Sequence, residues 1–119
     1  MKKLLLLFIT TSFVLSQNLI WSVDEKYENG NIKALSYHQK IWQKIELVKK
    51  ETYYENGQIS GEGNFKDGKE DGMWTEFYEN GQIEAEGNYK DGKEDGKWTV
   101  YQENGQILGE GNFKDGKQD

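Results

Sequence analysis

Residues 54–77 read YENGQISGEGNFKDGKEDGMWTEF, and residues 78–101 read YENGQIEAEGNYKDGKEDGKWTVY. The two stretches abut and are identical at 18 of 24 positions. Self-similarity of this kind marks a repeat architecture, in which each unit is one supersecondary piece. Glu-Asn-Gly sets the period: Asn29, Asn56, Asn80 and Asn104 are spaced by 27, 24 and 24 residues. A partial copy fills 102–119, and a degenerate copy, three residues longer, fills 27–53. The repeat region is therefore 27–119, after a lead-in over 17–26.

Each copy carries two turn signals. Asn56-Gly57, Asn80-Gly81 and Asn104-Gly105 predict two-residue type I′ turns, because both central residues of such turns need positive φ. Lys66-Asp67-Gly68 with Glu70-Asp71-Gly72 predicts a second, longer turn region, echoed over 90–96. Between the turns lie short runs of alternating β-branched and aromatic residues, which read as strands. Gly87 and Gly96 oppose a helix, at about 1 kcal/mol each relative to alanine. The fold expected is all-β: an elongated, single-layer antiparallel β-meander of tandem hairpins.

A two-residue turn fixes the register. Tyr78 should face Ile83, Glu76 face Ala85 and Trp74 face Gly87; one hairpin later, Val100 should face Gly109 and Trp98 face Gly111. Each tryptophan would then lie across a cross-strand glycine and offset its poor strand propensity. The same face is expected to carry Ile59, Ile83 and Ile107 with Phe65, Tyr89 and Phe113. The other face would carry Thr75, Thr99, Phe77 and Tyr101 with Glu62, Glu86 and Glu110. A three-residue loop would shift the pairing by one and exchange the faces. Burying one aromatic side chain is worth roughly 1.5–3 kcal/mol. That does not offset the ordering of a lone hairpin, so stability should grow with copy number.

The first 16 residues pair a basic Met1-Lys2-Lys3 start with the apolar run 4–15. That layout is a secretory signal peptide, expected as a helix and cut near Ser16. A membrane-spanning helix needs about 20 apolar residues, more than this run supplies. The protein is thus expected to be secreted or held in the cell envelope or periplasm. It has no cysteine, so neither a disulfide nor a thiolate metal site is available. The net charge of −6 gives no basic face for nucleic acid.

The pattern aromatic-x-x-Gly-Lys-x-x-Gly-x-Trp-x-x-aromatic-x-x-Asn-Gly runs through Phe65, Gly68, Lys69, Gly72, Trp74, Phe77, Asn80 and Gly81, and again from Tyr89 to Gly105. It resembles the MORN repeat, and especially the bacterial MORN-variant repeat, over about 27–119. The resemblance implies a single-layer antiparallel sheet and roles in protein contact, scaffolding or membrane-lipid contact. It also implies kinship with antitoxins of toxin–antitoxin modules. Two departures stand out. The first copy has Gln39-Lys40-Ile41-Trp42-Gln43-Lys44 in place of the Lys-Asp-Gly-Lys turn, as a capping unit would. The last copy stops before its Gly-x-Trp strand, so the strand over 107–113 is expected to be an edge open to pairing with another chain.

Reactive constellations do not assemble. Counted from Asp67, a calcium loop would want oxygen ligands at its third and twelfth positions, and these are Lys69 and Tyr78. No phosphate-binding glycine pattern precedes a helix. His38 is the only imidazole and has neither a cysteine nor a serine-elbow partner. Glu84 and Glu86 would need an enclosed pocket to act as an acid–base pair. The expectation is no enzyme and no cofactor, but an exported protein-binding or scaffold module with an unidentified protein partner. Self-association through the C-terminal edge strand is a further expectation. The alternatives are an antitoxin or immunity component, and a cell-wall or lipid-binding repeat protein. Choline-binding repeats cage their ligand between several aromatics, but threonine stands at 75 and 99 where paired aromatics would be needed. No Lys/Arg cluster favours an anionic membrane, so membrane contact is not expected.

Overall fold

The structure, a computed structural model, describes residues 5–9 and 18–119. Nine consecutive strands follow the chain: β2 (Asn18–Lys26), β3 (Ile32–Ile41), β4 (Lys44–Tyr53), β5 (Ile59–Lys66), β6 (Lys69–Phe77), β7 (Ile83–Lys90), β8 (Lys93–Tyr101), β9 (Ile107–Lys114) and β10 (Lys117–Gln118). Each pairs antiparallel with the next, and β1 (Leu5–Ile9) adds to the outer edge of β2. This is one open sheet in sequence order, the all-β meander expected. No helix occurs among the described residues.

The helix expected over 1–16 is corrected at Leu5–Ile9, which is a strand; the other leader residues lie outside the described ones. The physical reason is pairing. Leu5–Ile9 lies against Asn18–Ser22, and the ladder satisfies backbone groups that β2 would otherwise leave open. The expected elongation is also corrected. The principal extents are 41 × 35 × 30 Å, so the sheet twists until no axis dominates. Right-handed strand twist accumulates over this many strands. The layer still has little core, for its radius of gyration is 16.1 Å, against about 13.5 Å for a globular chain of this length.

The turn chemistry reverses the sequence expectation. The tight hairpins are Asp67-Gly68, Asp91-Gly92 and Asp115-Gly116, where both central residues have positive φ and Lys66 pairs directly with Lys69. Those are the two-residue I′ turns. No Asn of Asn29, Asn56, Asn80 or Asn104 has positive φ; only the glycine after it does. Gly81 N–H donates to Tyr78 C=O, and Tyr78 N–H donates to Gln82 C=O. This is a three-residue loop, a turn followed by a left-handed glycine. The Asn80 side chain accepts from Gln82 N–H at 2.9 Å, the use of a turn asparagine that needs no positive φ.

That loop shifts the pairing by one residue, as the alternative above required, and Phe77 faces Ile83. A bulge at Glu84 then restores the original register, with Glu76 opposite Ala85 and Trp74 opposite Gly87. Tyr101 faces Ile107, Leu108 is the extra residue, and Val100 and Trp98 face Gly109 and Gly111. Two single-residue irregularities therefore cancel, and only the residues between them change sides. Ile59, Ile83 and Ile107 pair with Tyr53, Phe77 and Tyr101, not with the tryptophans. Their expected placement on the tryptophan face is corrected.

Glu70-Asp71-Gly72 is not a turn either. Residues 71–73 bulge opposite the single Asn64, and 96–98 bulge opposite Gly87. Gly72 and Gly96 supply the positive φ that such a bulge uses.

Candidate interaction surface

One face carries the rings. Trp74 lies over Gly63, so closely that a Cβ there would come within 1.9 Å of the ring, and Trp98 lies over Gly87 in the same way, at 2.2 Å. Each tryptophan thus covers a cross-strand glycine, but the one in its own hairpin rather than the next. Phe65, Trp74, Tyr89 and Trp98 form an edge-to-face series with centroids 6.1, 5.5 and 5.1 Å apart. Such pairs are worth about 0.5–1.5 kcal/mol beyond burial. Trp98 Nε1–H also donates to Asn88 C=O at 3.1 Å. Phe113 extends the row beside Trp98, at a depression it shares with Gly111.

The opposite face carries acids and hydroxyls. Across the sheet, Glu51 pairs with Glu62, Glu62 with Thr75, Thr75 with Glu86, Glu86 with Thr99, and Thr99 with Glu110. Thr75 and Thr99 are buried between the longer side chains. Lysine enters this row at two of three equivalent places. Lys49 bridges Glu51 and Glu62 at 2.8 and 3.1 Å, and Lys97 meets Glu110 at 2.8 Å. The middle position is Met73, half exposed. There Glu86 accepts instead from Tyr101 Oη–H at 2.7 Å, and this hydrogen bond raises the Tyr101 hydroxyl above its ordinary pKa.

Glu51 is the hub of the first hairpin. Tyr37 Oη–H donates to its Oε2 at 2.9 Å, and Tyr53 Oη–H donates to the same atom. Burial alone would raise the Glu51 carboxyl. The hydrogen bonds from Lys49, Tyr53 and Tyr37 and the Lys49 charge outweigh it, so the carboxyl sits below its ordinary value. Burial, then the bond to Glu51, pushes Tyr37 up to about 12, and the same causes push Tyr53 higher still.

Two shallow depressions lie on this acidic face. One is lined by Lys49, Glu62, Gly63, Asn64, Met73 and Thr75. The other includes Met73, Glu86, Gly87, Asn88, Lys97 and Thr99. These six residues of the second each stand 24 positions after one of the first, and the second is extended by Tyr101, Ile107 and Glu110. They occupy equivalent places in successive units, with lysine and methionine exchanged, and lie two strands apart, or about 10 Å.

The two rims of the sheet hold the units in step. On the Asn-Gly rim, Tyr27, Tyr54 and Tyr78 donate from Oη to the backbone carbonyls of Tyr53, Phe77 and Tyr101. Asn31 and Asn80 donate from Nδ2 to the carbonyls of Glu55 and Glu103. On the Asp-Gly rim, Gly92 and Gly116 N–H donate to Glu70 and Glu94 C=O. These staples escaped the sequence reading; their one signal was tyrosine at the same place in three successive units. Of the other marked positions, Asn56, Asn80 and Asn104 with their glycines hold the loops, Phe65 and Tyr89 join the rings, and Ile107 is exposed. No group of three or more metal-binding side chains occurs among the described residues.

The sequence pattern described as the MORN repeat variant matches residues 48–67, 70–91 and 94–115. Neither the curated proteins nor the solved structures yield a match to this chain. Each matched segment spans two neighbouring strands and the Asn-Gly loop that joins them, and together they cover more than half of the sequence: the chain belongs to the MORN repeat variant family.

Proposed function

We propose that this protein is an exported, non-catalytic module that docks another protein along its acidic face. The observation that carries the reading is a pair of depressions at equivalent places in successive units, one with Lys49, Glu62, Asn64, Met73 and Thr75, the other with Met73, Glu86, Asn88, Lys97 and Thr99. A surface with two such openings one unit apart favours an extended partner bound at both places, because the second contact forms at high effective concentration. The depressions are shallow and open. The partner is held by area and charge, not by enclosure. Half-exposed Met73 sits between the two sites and gives the face an adaptable apolar point.

The acid row Glu62, Glu86 and Glu110 favours a basic partner, which also supports the antitoxin alternative, since a basic toxin suits such a face. Export rests on the leader-like start, Met1-Lys2-Lys3 and the apolar run behind it.

The test is affinity capture from the native cell extract with the full chain and with a double variant, Met73→Asp and Thr99→Lys. A protein retained by the wild type and lost with the variant supports the reading. Equal retention by both removes the acidic face as the docking site. Export is read separately, by cell fractionation and N-terminal sequencing. A chain confined to the cytoplasm with Met1 or Lys2 at its start contradicts it.

A further inference from the structure

The β3–β4 tip stands apart from its sister tips. Ile41 pairs with Lys44, so Trp42 and Gln43 form a two-residue turn. Of these two only Trp42 has positive φ, at 57°. That is the place a type II′ turn gives to glycine, and a bulky residue in the left-handed region is a genuine outlier. Trp42 is 92 % exposed, so packing within the chain does not offset the strain. Ile41 and Ile45 beside it are exposed as well, and Lys40 and Lys44 flank the group. Lys40 makes no ion pair among the described residues, and Lys44 has a surface pair with Glu46 alone. A strained tip that is both apolar and basic points to something outside the chain.

The opposite rim offers the complementary surface. Ile32, Leu35 and Tyr53 line, with residues 30–31 and 56–57 of the first two Asn-Gly loops, an open depression of about 490 Å³. Nothing lies within 4 Å of a Cβ placed on Gly30 or Gly57, so the mouth is clear. Glu28 and Glu55 stand in the same two loops, exposed and without an ion pair among the described residues. The rims differ in charge along their length. Each Asn-Gly loop (28–31, 55–58, 79–82, 103–106) carries one glutamate and no lysine, and each tip at the other rim carries two lysines against at most one aspartate. The tip and the depression sit at opposite ends of strands β3 and β4. The 10 residues of β3 separate them by about 30 Å, so Trp42 cannot reach the depression of its own chain.

We propose that Trp42 of one copy seats in the depression at Ile32, Leu35 and Tyr53 of a second copy, with Lys40 and Lys44 against Glu28 and Glu55. The indole and the flanking isoleucines lose their exposure to water, and the opposed charges fix the orientation. Two different patches meet, so copies join head to tail rather than as a closed pair. The contact is small, so the association is reversible and grows with concentration. The depression shares no residue with the two on the acidic face, so either reading stands if the other fails.

The test is analytical ultracentrifugation of the whole chain over a concentration series, with W42N, the double variant E28K/E55K and their equimolar mixture. The wild type is expected to rise above its single-chain mass of 13.8 kDa as concentration increases. Each variant alone stays at one chain mass. The mixture forms a species of twice that mass, because W42N keeps the depression and E28K/E55K keeps the tip. All three substitutions change exposed side chains, and asparagine tolerates the turn, so both variants fold, and recovery in the mixture shows it. A W42N or an E28K/E55K that associates like the wild type overturns the proposal. So does a mixture that stays single, or a wild type that stays single at every concentration.

Discussion

Gly63 and Gly87 have no room for a methyl group. A Cβ at Gly87 would lie 2.2 Å from Trp98, and the ring is held there by Tyr89 and by its bond to Asn88. Gly87→Ala is expected to cost about 1–3 kcal/mol by overpacking, read as a lower urea midpoint. Gly109 is the control, because open space surrounds its Cβ position. Gly109→Ala should be neutral or stabilise by about 0.4–1 kcal/mol, through the unfolded chain. Trp42 makes the opposite case. Trp42→Asn relieves the left-handed strain and gives up no buried area, so it should stabilise the fold by about 1 kcal/mol. A rise in melting temperature checks it.

At the scale of the hairpins, the Glu51 hub ties strands β3, β4 and β5 through Tyr37, Tyr53, Lys49 and Glu62. Its pH dependence has two limbs. The Glu51 carboxyl is lowered on folding, so its contribution is complete above its ordinary value near 4.5 and is lost as pH falls through the folded value. Tyr37 is raised from 10 to about 12, so the unfolded chain releases that proton first. Its contribution is complete below pH 10 and is lost as pH rises toward 12. Lys49 is raised as well: burial works against it, and its bonds to Glu51 and Glu62 prevail, so it adds to the alkaline limb. Urea midpoints across pH should therefore fall at both ends. Glu51→Gln should flatten the acid limb and Tyr37→Phe the alkaline one, while a profile unchanged by either would dismiss the hub.

For the molecule as a whole, the sheet grows by addition of near-identical units, and each contacts only its neighbours. Removing 78–101 joins Phe77 to Gln102, a junction the sequence already presents as Tyr101-Gln102. The shortened chain is expected to keep the all-β circular dichroism spectrum and to melt lower. Duplicating 78–101 should make it melt higher. Equal melting temperatures in all three lengths would mean that stability resides in one end of the sheet, where Ile20, Val23 and Leu35 are buried, and not in the shared rings.

The 24-residue period by itself determined the meander, the strand count per unit and the pairing of Trp74 with Gly87 and Trp98 with Gly111. Those follow from turn spacing and alternation, which are local. Tertiary structure decided which turn was tight. Asn-Gly and Asp-Gly both tolerate positive φ, and only the pairing of Lys66 with Lys69 assigned the I′ geometry to Asp67-Gly68. It also decided the side taken by Ile59, Ile83 and Ile107. A bulge one residue past the loop leaves no mark in the period, yet it reverses everything between loop and bulge. The ring chosen by each glycine, the tyrosine staples and the paired depressions likewise depend on side chains meeting across strands, which spacing along the chain does not encode.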